Sequence, residues 1–450
     1  QARDGPDADS RWGKLCRAMK VKDMLKVAIL IDHRPNHASE VGGLAGTWEK
    51  IARVAEGRGD LDLTLFFLGD RPGVARHASN VRSILLPPVL GTERLPFLNG
   101  IPTHTDLAPF HPALFSRLSG FDILHTTSCF YAFAKTAYRK SLVSGVPLVT
   151  SIQTDSIGWA RIYTPMILGR LLPPSVLRLL IDDLRLLDIQ ERFMERGFGR
   201  YMRQCEAVFA SHGRDVQMLK RLAPCVPVHH LRRGLDLNLF NPDRRDRDWM
   251  ERRFGVPKGK LLLLFVGRID AVKGAEVVAA VVKGLLEKNR DVHLLVVGNG
   301  ALRKKLTGLL GDRATFTGNL PHSELGRIYA GADLLLSPSE AEVWPNVIME
   351  ARACGLAVAA CQEGARHVMA APGVDGVLLP NRDPAVWIGA VDRLLDDPSA
   401  LRVMGRRARL HVEKTSPSWR GVLEEDLLPV WESVHRLHAS HGFAAALNAP

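Results

Sequence analysis

The stretch LLLLFVGRIDAVKGAEVVAAVVKGLLEKNRDVHLLVV, residues 261–297, decides the fold. Continuous apolar runs at 261–266 and 292–297 flank a helical pattern at 275–288. Uninterrupted apolar strands that alternate with helices are typical of a parallel sheet covered on both faces. The stretch therefore predicts one β-α-β unit of an α/β domain.

The same alternation extends along the chain in both directions. Further apolar runs lie at 26–31, 61–68, 121–126, 146–151, 332–338 and 356–360. Helical patterns lie at 44–55, 130–143 and 301–310, and another begins near Pro345. The two series predict two doubly wound, Rossmann-like domains with parallel sheets. In such sheets ligands bind beyond the carboxyl ends of the strands.

A charged, proline-containing segment at 241–260 interrupts this alternation and predicts a domain boundary near residue 243. We expect an N-terminal extension at 1–23, a first domain at 24–243, a second domain at 244–412 and a helical tail at 413–450. The tail is expected to cross back to the first domain.

Composition narrows the class of protein. The chain has 450 residues, is 46% hydrophobic and carries 60 Lys and Arg against 48 Asp and Glu, a net charge of +12. Disorder as the dominant state is excluded, and no apolar run approaches the ~18 residues of a membrane span. The six scattered cysteines favour free thiols in a reducing cytoplasm. The positive charge indicates a preference for phosphate or a membrane surface, or equally an effect on solubility alone.

The segment PSEAEVWPNVIMEARACG, residues 338–355, carries the strongest functional signal. Free N–H groups at a helix start near Asn346 and Val347 favour a bound anion such as a diphosphate. Glu350, in the second turn, can accept hydrogen bonds from both hydroxyls of a ribose, and Glu342 can bind a sugar hydroxyl. The alternative is a surface helix with incidental acids.

Two further loops follow predicted strands. In GRIDAVKG, residues 267–274, Arg268 and Lys273 can surround a diphosphate from two sides, although a solvated basic loop is the simpler alternative. Gly298 and Gly300 let the backbone approach a ligand closely, or mark only a tight turn.

Taken together, these motifs resemble those of retaining family 4 glycosyltransferases, which have the GT-B fold. The resemblance rests on Glu342, seven intervening residues and Glu350, followed by ARACGLAV, and on the basic loop at 267–274. It implies transfer of a hexose from a UDP- or GDP-sugar to a hydroxyl of a lipid or glycan, with retention of anomeric configuration and no metal or other cofactor. Trp344 stands where the family more often has Phe.

The resemblance also implies residue roles. Glu342 would contact the donor sugar and Glu350 the ribose, while Arg268 and Lys273 would bind the diphosphate. Leu320, in TGNLPHSEL, would meet the base, and the loop with Gly42 and Gly43 would face the donor phosphates. The first domain would bind the acceptor.

Three first-domain residues lie at or just after the ends of predicted strands: His125 is a catalytic candidate, and Gln153 and Asp155 are candidates for the acceptor side. His125 ends the run at 121–126 and is the catalytic candidate beside Glu342, although a buried structural histidine is the commoner case. Family members often have a second histidine two residues later, where this chain has Thr127. Related lipid glycosyltransferases often read His-Thr-Asp after the next strand, whereas this chain reads Gln153-Thr154-Asp155. Glutamine can donate and accept hydrogen bonds but cannot take up a proton usefully.

An amphipathic stretch at 175–197 has Leu177, Leu180, Leu184 and Leu187 near one face. A helix that packs on its own domain explains it more simply than contact with an anionic membrane, which the net charge also permits. No nucleic-acid-binding pattern accompanies that charge, so no nucleic-acid partner is expected. Two alternatives stay open, namely a nucleotide-sugar epimerase of the same fold and a degenerate homologue that only binds nucleotide.

Overall fold

The computed structural model describes residues 24–447 except 36–42, 99–104, 154, 212, 341–343 and 370, with only the backbone given for 441–447. Among these residues, eight strands form the sheet of a first domain, in the order β3-β4-β2-β1-β5-β6-β7-β8. All neighbours are parallel except β3 and β4, which form an antiparallel edge. The strands are β1 (Leu25–Ile31), β2 (Leu61–Leu68), β3 (Gly73–Ala78), β4 (Val81–Leu86), β5 (Ile123–Thr126), β6 (Leu148–Ile152), β7 (Ala207–Ala210) and β8 (Val228–His230).

Helices cover both faces of this sheet. They are α1 (Leu44–Ala55), α2 (Pro112–Phe115), α3 (Ala132–Ser144), α4 (Ser156–Leu168), α5 (Pro174–Arg178), α6 (Leu186–Met202) and α7 (Gly213–Leu222). Strand β1 shows why both faces are apolar, because its successive side chains point to opposite sides. Val27 and Ile29 pack with Trp48 of α1, whereas Ala28 and Leu30 pack on the other face.

The second domain has a six-stranded parallel sheet in the described residues, in the order β11-β10-β9-β12-β13-β14. Its strands are β9 (Leu261–Val266), β10 (Val292–Val297), β11 (Ala314–Gly318), β12 (Leu334–Ser337), β13 (Ala357–Cys361) and β14 (Val377–Leu379). Its helices are α8 (Arg247–Phe254), α9 (Ala275–Glu287), α10 (Arg303–Leu310), α11 (His322–Gly331), α12 (Asn346–Ala353), α13 (Gln362–Ala365), α14 (Pro384–Leu395) and α15 (Pro398–Thr415). The prediction of two Rossmann-like, parallel-sheet domains is thus confirmed.

The chain passes between the domains twice. Leu231 packs in the first core and Leu235 in the second, so the first crossing lies eight residues or more ahead of the boundary predicted near residue 243. The chain returns between Val412, in the second core, and Val422, in the first. The two crossings lie side by side, since the N–H of Leu235 donates to the carbonyl of Pro417 over 2.9 Å.

The last segment completes the first domain. It contains α16 (Trp419–Gly421), a π-helical turn (Val422–Leu427) and α17 (Leu428–Leu447). Trp431 is fully buried in the core that β1 and α1 form, and its indole Nε1–H donates to Nδ1 of His125 over 3.0 Å. Within the described part of the chain, no helix has the length and hydropathy that crossing a bilayer requires.

If α17 is part of the first domain, Trp431→Ala should lower the free energy of unfolding by about 3–5 kcal/mol, because it leaves a large cavity in a closed core. Leu437→Ala is the control, since Leu437 lies on the same helix and its side chain is 58% exposed. Urea unfolding followed by far-ultraviolet circular dichroism measures the stability of both variants, because this signal reports on the backbone. Equal stability of the two variants would show that α17 does not contribute to the core.

Candidate functional site

Three predicted motifs meet at one edge of the second sheet. Strands β10, β9 and β12 are neighbours. The loop with Arg268 and Lys273 follows β9, Gly298 and Gly300 follow β10, and the segment leading to α12 follows β12. Carboxyl ends of parallel strands lie at the same sheet edge, so residues far apart in sequence come together here.

Gly298 and Gly300 allow two of these loops to pack backbone against backbone. A Cβ on Gly298 would collide with the carbonyl of Gly267, and one on Gly300 would collide with that of Ile269. Gly298 also has a φ of 132°, which side chains rarely adopt. This packing accounts for both glycines structurally, and their contact with a nucleotide stays a prediction.

Arg382 joins the same basic loop to the end of β12. Its guanidinium donates to the carbonyl oxygens of Pro338, Ala271 and Val272 at 2.8, 3.0 and 2.5 Å. Gly274 also lies close against Pro338, because a Cβ on it would be 2.7 Å from the proline ring. The basic loop and the segment before α12 are therefore held side by side, and no motif in the sequence pointed to Arg382.

Arg268 reaches across the cleft towards the first domain. Its Nε lies 3.2 Å from the Asp270 carboxylate, and its guanidinium carbon lies 5.9 Å from the centre of the Trp159 ring on α4. The backbone N–H of Lys273 donates to Asp270 over 2.8 Å, which shapes the same loop. Trp159 is a site residue that the sequence analysis missed, since its partner lies 109 positions further along the chain.

Helix α12 begins at Asn346 after Pro345, and none of the described side chains caps it. Its first turn holds no acidic residue, so the positive end of the helix is not neutralised from within. Asn346 and Val347 are partly exposed there. Glu342 lies outside the described residues, and its predicted contact with a sugar stays a prediction.

Glu350 is held in place by two partners that the sequence analysis did not identify. It is 3% exposed, and its carboxylate oxygens accept from Nε2 of His322 at 3.1 Å and from the hydroxyl of Tyr329 at 3.0 Å. Burial and the neighbouring Glu350 charge raise the pKa of Tyr329 well above its usual range, so the phenol stays a donor. A carboxylate has about four lone-pair sites, which leaves room for a ligand hydroxyl.

The first domain comes close to Glu350. Lys50 of α1, Arg233 and Trp419 line a narrow gap that also holds Glu350 and Trp344. Nζ of Lys50 lies 5.2 Å from the centre of the Trp419 ring. Burial lowers the pKa of Lys50, while the Glu350 charge acts in the opposite direction.

Leu320 follows β11 and precedes His322, but its side chain is buried in the second core. A contact with a base at this position would therefore involve its backbone. In the first domain, Gly43 precedes α1 and borders a large cavity, whereas Gly42 lies outside the described residues.

This cavity has a volume of about 660 Å³ and lies beyond the ends of β5 and β6. Gln153 and Asp155 line it, as predicted for the acceptor side, and Arg268 borders it from the second domain. Asp155 also caps α4 by accepting from the N–H of Gly158 over 2.8 Å, and it pairs with Arg214 at 2.7 Å. Whether either residue contacts an acceptor stays a prediction.

His125, the catalytic candidate, lies in the first core in this structure, and its catalytic role stays a prediction. The ring is fully buried, stacks on Phe209 with 5.3 Å between ring centres, and is enclosed by Trp48 and Trp431. Burial lowers its pKa to about 3, so it stays neutral and accepts the Trp431 hydrogen bond. Thr127, two residues later, lines the cavity instead.

The stretch at 175–197 is not one amphipathic helix. Arg185 has a φ of 50°, in the left-handed region, and separates the π-helical turn at Leu179–Asp183 from α6. The leucine spacing therefore does not form a single face. Leu184 is 55% exposed, whereas Leu180 and Leu187 are half-buried.

Comparison with known proteins agrees with this architecture. The family described as "Glycosyl transferases group 1" matches residues 246–411. A D-inositol 3-phosphate glycosyltransferase from Catenulispora acidiphila is 32% identical over 46% of this chain and 53% of its own length. One from Thermobispora bispora is 27% identical over 70% of this chain and 72% of its own length. The chain thus spans about half the length of the first of these relatives.

Solved structures agree over nearly the whole chain. Sucrose-phosphate synthase from Thermosynechococcus elongatus superposes with a TM-score of 0.63 at 19% identity and covers 94% of this chain and 100% of its own. Anabaena HepE in complex with UDP-glucose superposes with a TM-score of 0.58 at 15% identity, and the match covers 93% of this chain and 100% of the HepE chain. These likenesses concern the fold. They show a GT-B fold, and the matched family model shows that residues 246–411 form a domain of the glycosyl transferases group 1 family.

Proposed function

We propose that this protein transfers a hexose from a UDP- or GDP-sugar to an acceptor hydroxyl with retention of anomeric configuration. One observation carries the proposal. The loop with Arg268 and Lys273 lies beside the segment before α12, and Arg382 bonds to both. Two cations and a helix N-terminus at one sheet edge form a site for a diphosphate.

The chemistry follows from that charge arrangement. The acceptor oxygen bonds to the anomeric carbon while the bond from that carbon to the diphosphate oxygen breaks, and the hydroxyl proton leaves with the nucleoside diphosphate. Negative charge grows on the diphosphate as this bond breaks. Arg268, Lys273 and the start of α12 would stabilise that charge without rearranging, which is the usual source of electrostatic catalysis.

The two glutamates would divide the rest of the donor between them. Glu350, oriented by His322 and Tyr329, would accept from the ribose hydroxyls. Glu342 would orient the sugar. Closure of the two domains would exclude water and so limit hydrolysis of the donor. The acceptor, a lipid or a glycan, would bind in the first-domain cavity.

Arg268→Ala and Lys273→Ala should each weaken binding of the matching nucleotide sugar by about 10- to 100-fold, since hydrogen bonds to charged groups contribute about 1.5–3 kcal/mol. Isothermal calorimetry with a panel of UDP- and GDP-sugars measures the affinity. Lys304→Ala is the control, because Lys304 is an exposed cation on α10 of the same domain. Unchanged donor affinity in both loop variants would contradict the proposed diphosphate site.

The two glutamates should differ in which step they affect. Glu350→Gln should weaken binding of the bare UDP or GDP by about tenfold or more, because the ribose is present in nucleotide and donor alike. Glu342→Gln should leave bare-nucleotide affinity nearly unchanged and lower kcat by about 100-fold, since its contact requires the sugar. Calorimetry and initial rates separate these effects. Equal loss of nucleotide affinity in both variants would contradict this division.

We further propose that the protein associates with the cytoplasmic face of an anionic membrane through α4 to α6. Among the described residues, eight of nineteen exposed large apolar side chains lie on this segment: Ile162, Met166, Leu171, Val176, Leu179, Leu184, Ile189 and Phe193. Exposed arginines at 161, 170, 178, 185, 192, 196 and 200 outnumber the five acids of the same segment, at 182, 183, 188, 191 and 195. Apolar side chains among cations favour the interface of anionic lipids.

Sedimentation with phosphatidylglycerol vesicles tests this surface. The double variant Ile189→Ser/Phe193→Ser should lose vesicle binding by about tenfold or more, because each large apolar side chain that enters the interface contributes 1.5–3 kcal/mol. Leu309→Ser is the control, since Leu309 is 52% exposed but lies on the second domain. Equal sedimentation of the wild type and both variants would contradict the proposal, as would equal binding to phosphatidylcholine.

A further inference from the structure

The first-domain cavity differs in character from the diphosphate site beside it. Most of the cavity wall is apolar or aromatic. The cavity lies between α4 and α6, next to the carboxyl end of β6. The side chains that form this part of the wall are Trp159, Tyr163, Ile167, Met194, Phe198 and Met202. An aromatic, thioether and aliphatic wall of this kind suits a hydrocarbon chain and gives a free sugar few hydrogen-bond partners.

One part of the cavity is polar, and oxygen atoms of Gln153 and Asp215 have no partner among the described residues there. Oε1 of Gln153 and Oδ2 of Asp215 are buried without a hydrogen bond, although Nε2 of Gln153 donates to Ser151 over 3.2 Å. The two residues are 7% and 6% exposed and both line the cavity. Buried acceptors without donors are costly, so these oxygens call for hydroxyl or N–H groups on a ligand.

The charge of the cavity restricts the ligand further. Of the described residues that line it, Arg268 is the only lysine or arginine, and it enters from the second domain. Asp155 and Asp215 contribute carboxylates instead, and the charge of Asp155 is balanced by its ion pair with Arg214. Burial raises the pKa of Asp215 to about 6, so at neutral pH its carboxylate is mostly ionised. A phosphate group bound beside the ionised Asp215 would be repelled, whereas neutral hydroxyls would be bound.

The cavity also opens towards the proposed donor site. Arg268 borders it and lies 5.9 Å from the Trp159 ring, so the diphosphate loop and the apolar wall meet at this point. A ligand whose hydroxyls lie near Gln153 would therefore have its polar end at the cleft and its apolar end between α4 and α6.

We infer that the cavity binds the acceptor, and that the acceptor is an amphiphile with an uncharged, hydroxyl-bearing head group and a hydrocarbon chain. Gln153 and Asp215 bind the hydroxyls, and the chain lies along Trp159, Ile167 and Met194. This inference rests on the proposed function and narrows its acceptor from a lipid or glycan to one chemical class. It also distinguishes this chain from relatives whose name specifies inositol 3-phosphate, an anionic molecule without a hydrocarbon chain.

Soluble alkyl glucosides test the inference. With saturating UDP or GDP, octyl β-glucoside below its micelle concentration should bind at least about tenfold more tightly than methyl β-glucoside, because only the longer chain buries apolar surface. Calorimetry measures both affinities without requiring turnover. D-inositol 3-phosphate serves as the anionic comparison and should bind more weakly than octyl glucoside.

Two substitutions on α4 form a matched pair. Ile167→Asp places a charge in the wall and should remove most of the octyl advantage while leaving methyl glucoside affinity nearly unchanged. Ile162→Asp is the control, since Ile162 lies on the same helix, does not line the cavity and is 43% exposed. Gln153→Leu should weaken both glucosides alike, because it removes the hydroxyl-binding oxygen and not the apolar wall.

The outcomes separate this inference from the proposed function. Nucleotide binding with equal affinities for octyl and methyl glucoside would overturn the amphiphile and leave the glycosyltransferase proposal standing. Equal effects of Ile167→Asp and Ile162→Asp, or tighter binding of D-inositol 3-phosphate, would also overturn it. Absence of any UDP or GDP binding would overturn both proposals together.

Discussion

The placement of the two domains depends on the contact between the two chain crossings. Leu235 bonds to Pro417, Gly234 packs closely on Trp419, and Arg232 bonds to Asp426 through Nε at 2.9 Å. These contacts hold the two crossing segments of the chain against each other at one place between the domains. Gly234 and Trp419 also line the narrow gap around Glu350, so this gap lies at the crossings. A rotation of the domains about the crossings would therefore change the distance from Glu350 to Lys50 little. It would change the distance from Arg268 to Trp159 more.

Within the second domain, close backbone packing holds three loops against one another. Gly298 and Gly300 bring the loop after β10 against the loop after β9, and Arg382 brings that loop against the end of β12. The cations of the middle loop are thereby supported from both sides by neighbouring backbone. A site that must stabilise growing charge benefits from such support, because groups that are already in place pay no cost of rearrangement.

The sequence predicts the elements that local patterns determine. Continuous apolar runs locate β1, β2, β9 and β10, because strands buried on both faces have no polar positions to interrupt them. The edge strand β3 was missed, since its side chains are largely exposed and its sequence, GVARHA, is not an apolar run. The enclosure of His125 could not be predicted for another reason. The residues that enclose it, above all Trp431 at 306 positions' distance, come from elements that no local pattern connects to β5.

The basic loop of the second domain and the first-domain cavity differ in charge, and this difference bears on how a transfer reaction could be directed. The second domain presents Arg268, Lys273 and the positive end of α12, whereas the described first-domain residues at the cavity present Asp155 and Asp215. In the proposed reaction an anionic leaving group would be attracted to the first set and repelled by the ionised Asp215, which would keep the diphosphate on one side of the reacting carbon. A neutral acceptor feels no such repulsion and can occupy the other side. The same charge difference would therefore keep a second diphosphate out of the first-domain cavity, and Arg268, which borders both regions, lies where they meet.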